Sequence, residues 1–303
     1  METRLFPGVA VAGERHTGDA RPTGMRIAAV AVLLVAVLAG CADPAAGPDG
    51  TAAPQDPDPV ALVGNWLVKG TGEEEGTVLR LAAEGADLSL FRPCGMLTGG
   101  WRADGSGIFL AAVPGEVPCG GSAPSPPPDW LLDATGYRLV GADRELLDAG
   151  GRVVARLVAS HEPAPVDTTQ VWSKLAEPPA VTDEVRQALR PAAPLPAGLT
   201  PITAGTVAGR WVARDGVRRP QEPYVELRAD RTWTGSDGCN TGGGRWTAGS
   251  GGTLLATSGP VTEIGCDNHP AMGWLYEARR AAIDGDQLVL LDVDAKEVGR
   301  LAR

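Results

Sequence analysis

Apolar residues along this chain follow two regimes. From Ile27 to Leu38 they form one unbroken run, preceded by Arg26 and followed by the small residues Ala39 and Gly40 before Cys41. A membrane-spanning helix needs about 20 apolar residues, so this run has the length of a signal-peptide core. From about residue 60 onward, apolar and β-branched residues come in short bursts broken by Gly, Pro and Asp, which is the punctuation of short strands. In the C-terminal part this pattern predicts strands over Arg210–Ala213, Tyr224–Arg228, Thr232–Ser236, Gly244–Thr247 and Thr253–Thr257. Pro270–Ala282 reads as a helix instead, with Leu275, Ala278 and Ala282 at helical spacing behind a proline suited to a first turn. The Asp284-Gly285-Asp286 turn then introduces a hairpin of Gln287–Leu291 and Glu297–Leu301. In the N-terminal part a short helix is expected near Asp129, after Pro126-Pro127-Pro128.

Two stretches lack this patterning. Ala42–Pro59 has almost no large apolar residue and cannot bury enough surface to order itself, so it reads as a tether. His161–Gly205 is rich in Pro and Ala and reads as a linker, with one helix at Asp183–Arg190, capped by Thr182 and stopped by Pro191. Val185 and Leu189 share a face of that helix, which suits it to dock on a folded domain.

The chain also matches itself. Gly64-Asn65-Trp66 aligns with Gly209-Arg210-Trp211, Cys94 with Cys239 and Trp101 with Trp246, all at an offset of 145. Phe109-Leu110-Ala111 falls on Leu254-Leu255-Ala256, Cys119 on Cys266, Trp130-Leu131 on Trp274-Leu275, and Leu146-Leu147-Asp148 on Leu290-Leu291-Asp292. A repeat of this length describes tandem domains and not a solenoid. The expected layout is a leader and signal peptide over 1–40, with Met25 as the true start, and a tether over 41–60. A β domain over 61–160, a linker over 161–204 and a second β domain over 205–303 complete it. The fold class is therefore mostly β, two tandem domains each with one short helix.

Charge narrows the partners. A formal net charge of −10 opposes binding to nucleic acid, which needs clustered Lys and Arg. No Gly-x-Ser-x-Gly elbow, Walker glycine motif or calcium-loop pattern occurs. The histidines are His16 in the leader, His161 in the linker and His269, whose place before Pro270 suits a helix cap or an exposed position. Gly242-Gly243-Gly244 reads as a tight turn between strands. The repeated tryptophans read as core positions; Trp172 and Trp233 stand outside the repeat, where core burial is the favoured reading and stacking on a sugar or partner the rival if they are exposed.

The five cysteines divide by role. Leu38-Ala39-Gly40-Cys41 resembles a bacterial lipobox, in which Cys41 carries lipid and becomes the mature N-terminus on the extracytoplasmic face of a membrane. In that oxidising compartment Cys94 with Cys119, and Cys239 with Cys266, read as one disulfide per domain. Zinc at Cys266-x-x-His269 and a redox pair are the rivals.

Gly238-Cys239-Asn240, the glycine-rich stretch through Gly244, Trp246, Thr262 and Cys266 together resemble the META domain of HslJ-like bacterial envelope proteins, over roughly 205–303. The first copy departs from the pattern: Cys94-Gly95 lacks the Asn, and Pro118-Cys119 lacks the preceding Thr. The resemblance implies an antiparallel, barrel-like fold with one helix, and an envelope or stress role without implying an enzyme. The expectation is a monomeric, lipid-anchored, non-enzymatic protein without cofactor or metal that binds an envelope partner. A small-ligand-binding barrel is the alternative, and a hydrolase a distant third. An apolar cavity inside a barrel would favour the small ligand; packed interiors with an exposed patch would favour the partner.

Overall fold

A computed structural model describes residues 55–83, 87–118, 126–164 and 176–303, and these form two antiparallel sheets with a few short helices. The first half runs β1 (Gly64–Lys69), β2 (Val78–Leu81), β3 (Asp87–Phe91), β4 (Met96–Ala103), β5 (Phe109–Val117), α1 (Asp129–Asp133), β6 (Gly136–Val140), β7 (Asp143–Leu147) and β8 (Val153–Ser160). The linker contributes α2 (Asp183–Ala188) and β9 (Thr200–Pro201), and α3 (Ala204–Val207) leads into the second half. The second half runs β10 (Gly209–Val212), β11 (Tyr224–Leu227), β12 (Thr232–Ser236), β13 (Thr241–Ala248), β14 (Leu254–Ala256), α4 (Ala271–Glu277), β15 (Arg280–Asp284), β16 (Gln287–Leu291) and β17 (Glu297–Ala302).

The sheet orders are β5-β4-β3-β2-β1-β8-β7-β6 and β14-β13-β12-β11-β10-β17-β16-β15-β9. Apart from the added edge strand β9, the second order repeats the first element for element. The matched tryptophans repeat their bonds as well. The indole N–H of Trp66 donates to the Leu62 carbonyl at 2.8 Å and that of Trp211 to the Val207 carbonyl at 2.7 Å. Trp101 and Trp246 likewise donate to the Ala82 and Arg228 carbonyls, 2.9 and 3.0 Å away. Each ring thus fills core volume while its one polar atom is satisfied.

Neither sheet is a closed barrel. Each curls until its ends meet at an isolated bridge, Ile108 to Gly136 in the first and Thr253 to Arg280 in the second, without a continuous ladder. Each has its own buried core. Trp66, Leu79, Leu90, Trp101, Phe109 and Leu146 anchor the first, and Trp211, Val225, Trp233, Trp246, Leu275 and Leu290 the second. All described residues nevertheless fall in one compact unit.

Two local expectations need correction. The helix after Pro270 ends at Glu277: Ala278 turns extended (φ −55°, ψ 141°), and Ala282 belongs to β15, opposite Val289 of β16. Alanine spacing fits either structure, and pairing with a fully buried strand outweighs a small helix propensity. The three glycines 242–244 are not a turn but part of β13. A Cβ on Gly243 would stand 2.8 Å from the Trp233 carbonyl oxygen, and one on Gly244 would overlap that of Thr257, so glycine here permits close backbone approach. Trp233, by contrast, is the core residue expected of it: it is 2 % exposed and its indole N–H donates to the Thr257 carbonyl at 2.8 Å, so it offers no surface for a ligand.

The linker is fastened to both halves. Thr182 caps α2, and Val185 and Leu189 pack against the first core. Beyond them Arg190 forms a two-pronged ion pair with Asp294, both contacts at 2.7 Å, and β9 pairs with β15. The signal run, Cys41, most of the tether, Cys119 and Trp172 lie outside the described residues.

Candidate functional site

The predicted motif residues come together at one end of the second half. Gly238 adopts φ +100°, a conformation that glycine takes without strain, and turns the chain between β12 and β13. Asp237 then gathers the turn: its carboxylate accepts from the backbone N–H groups of Cys239 (2.9 Å) and Asn240 (2.6 Å) and from the side-chain amides of Asn240 (3.0 Å) and Asn268 (2.9 Å). Burial alone would raise its pKa, but the bonds from Asn240 and Cys239 hold the carboxyl below its usual value. Asn240 reaches across the loop, accepting from the Ile264 N–H and donating to the Ile264 carbonyl at 2.9 Å, as a strand neighbour would. Thr262 accepts from the Thr241 N–H at 3.1 Å. A disulfide joins Cys239 to Cys266, with Cα atoms 6.5 Å apart. Cys94 occupies the matching turn between β3 and β4, while its expected partner Cys119 lies outside the described residues.

His269 sits beneath this loop at 6 % exposure. Its Nδ1 accepts from the Ala271 N–H at 3.1 Å, and its ring meets Trp274 edge-on at 4.8 Å between centroids. Of the two roles its position suggested, the local cap is the one adopted; it is not exposed. Among the described residues no group of His, Cys, Asp and Glu is arranged to hold a metal ion. The motif end is thus tied up by its own hydrogen bonds, an architecture that shapes a loop and leaves few atoms for a ligand.

A different feature lies between the halves. A cleft of about 490 Å³, within the range of small-molecule sites, is bounded by β4 and its following turn on one side, the turn leading into β14 and the start of β15 on the other, and the segment after α2 along its rim. Arg102, Arg190, Arg279 and Arg280 line it, with Asp104 as the one carboxylate. Arg102 crosses from the first half to lie over the Tyr276 ring at 3.9 Å and donates to the Tyr276 carbonyl at 3.0 Å. Among the described residues the Arg279 side chain donates to carbonyls at the end of α4, those of Tyr276, Glu277 and Ala278. Arg280 holds the Ala192, Ala193 and Gly251 carbonyls and the Thr253 hydroxyl.

Burial pushes the Arg102 guanidinium down from its ordinary value. Burial first, and the charge of Arg102 second, push that of Arg279 down to about 10. Asp104 has both oxygens committed: one accepts from Ser106 and from the Ile108 N–H, the other from the Thr253 hydroxyl at 3.1 Å. That last bond also ties the two halves together.

Sequence reading alone missed these arginines. Arg102 corresponds to Thr247 in the second copy, and Arg279-Arg280 to Thr135-Gly136 in the first, so they break the repeat. That asymmetry was the available signal, but only the folded chain brings the three together. Comparison with known proteins finds no matching family model, curated protein or solved structure.

Proposed function

We propose that this chain is a non-enzymatic binding protein of the cell envelope, held to the extracytoplasmic face of a membrane by lipid on Cys41, with META-like second and diverged META-like first domains. The observation that carries the binding role is the arginine-lined cleft between two halves whose own interiors are filled by side chains. A ligand there touches both halves and the linker at once, a common place for small-molecule sites. Binding fits better than catalysis because Asp104, the carboxylate available as a base, already accepts three partners on one oxygen and one on the other. The packed interiors argue against the alternative of a ligand enclosed within a barrel.

A second reading, contact with a partner protein, draws on Val261 and Ile264. They stand 42 % and 60 % exposed on the segment that Asn240 and the disulfide hold in place.

Isolation of the protein from membranes of its native host, followed by mass spectrometry of the N-terminal peptide and of the folded protein, tests the proposal. The expected result is a chain beginning at acylated Cys41 and carrying a small-molecule adduct. An unmodified chain recovered from the cytosol would overturn the anchored reading.

A further inference from the structure

Four buried side-chain polar atoms have no hydrogen-bond partner among the described residues, and two of them, Arg102 Nε and Arg190 Nε, belong to arginines of the interlobe cleft. The charges around the cleft do not balance either. Arg190 is matched by the two oxygens of Asp294, but Arg102, Arg279 and Arg280 have no carboxylate within ion-pair distance among the described residues. Against these three guanidinium charges stands the single carboxylate of Asp104, leaving two positive charges uncompensated in a protein of net charge −10. Removing a guanidinium from water is costly unless an anion and hydrogen bonds replace the solvent. The charge of Arg102 also disfavours the charged form of Arg279. Isolated in an acidic protein, such a cluster concentrates anions.

Building on the binding role proposed above, we infer that the cleft between the halves binds a small molecule carrying a doubly charged oxyanion, a phosphate group or a dicarboxylate, held by Arg102 and Arg279 with Arg280 at the rim. The planar guanidinium suits this task because it presents parallel N–H donors to two oxygens of one anion. The cleft volume accommodates an organic body attached to the anionic group. The Tyr276 ring already covers one face of the Arg102 guanidinium and holds it in place before ligand arrives. Both arginines come from different halves, so a bound dianion also pins the halves together.

Thermal unfolding of the full-length protein at constant ionic strength, with inorganic phosphate, succinate or chloride as the probe, tests this. A ligand that binds only the folded state raises the midpoint in a saturable manner set by its dissociation constant. Phosphate or succinate should raise the midpoint and chloride should not, and the stronger of the two identifies the anionic group. Arg102→Gln should weaken that response about tenfold, the loss expected for one charge-assisted contact. Equal responses to all three probes, or the same response in the variant and the unaltered protein, would overturn the inference. If Arg102→Gln does not fold, Asp104→Asn replaces it, with tighter phosphate or succinate binding expected and unchanged binding counting against the site. Loss of the anion response with Cys41 still acylated would discard this ligand class while leaving the anchored binding role intact.

Discussion

His269 is enclosed on several sides. Trp274 packs against its ring, the Ala271 N–H donates to Nδ1, the Asp215 carboxylate lies 3.9 Å from Nε2, and Arg219 stands beyond, paired with Asp215. Burial first, and the Arg219 charge after it, lower its pKa from the ordinary histidine value, opposed by Asp215. The neutral ring is therefore the form that the fold prefers. In the window between its lowered folded pKa and about 6.5, the unfolded chain binds more protons than the folded one. Stability should then fall as pH drops from 7 through that window and level off below it. Denaturant titrations between pH 7 and 5 should show this loss in the unaltered protein and a shallower one in His269→Gln. A His269→Gln curve parallel to the original would place the pH dependence elsewhere.

At the level of elements, the turn after Asp237 is tied to the segment before His269 by three devices: the disulfide, the Asn240 side chain bridging to Ile264, and the Thr241–Thr262 pairing. The disulfide closes a loop with a sequence separation of 27, which should contribute about 3 to 4 kcal/mol by restricting the unfolded chain. Asn240→Ala removes both bridging bonds and leaves the Ile264 N–H and carbonyl without that partner, a loss of about 1 to 3 kcal/mol. Asn240→Ala and reduction of the disulfide should each lower the chemical-denaturation midpoint. Reduction of the Cys239–Cys266 bond should make Asn240→Ala more damaging, because the two devices hold the same segment. If Asn240→Ala leaves the midpoint unchanged, the side chain is not a structural brace and its place in the motif needs another explanation.

Strand positions in this half were legible because apolar alternation and Gly or Asp breaks coincide: Thr232–Ser236 is bounded as the pattern indicates. The repeat was legible because tryptophans at core positions resist change. The end of α4 was not, since Ala278 and Ala282 suit helix and strand alike and only pairing with β16 decides between them. The glycines of β13 misled for a related reason: their cause is the close approach of Trp233 and Thr257, contacts distant in sequence.

In the whole molecule, the linker determines how the repeat is used. Val185 and Leu189 bind it to the first core, Arg190 and β9 bind it to the second half, and its passage between them forms the rim of the cleft. Duplication alone yields two similar sheets. The residues that depart from the repeat, Arg102 on one side and Arg279 and Arg280 on the other, turn the join into a positively charged recess in an acidic protein. None of these residues carries a motif, which is why the candidate ligand site was not legible where the loop was.

On the proposed reading, the two halves act together on one ligand. Nitrogen NMR of the arginine side chains during titration of the full-length protein with phosphate or succinate, whichever raises its melting midpoint, examines it most directly. The Nε–H signals of Arg102 and Arg279 should shift together with one shared dissociation constant, along with backbone amides from β4 and β15, while the Cys239–Cys266 loop stays still. Shifts confined to one half, or scattered over exposed arginines without saturation, would contradict it.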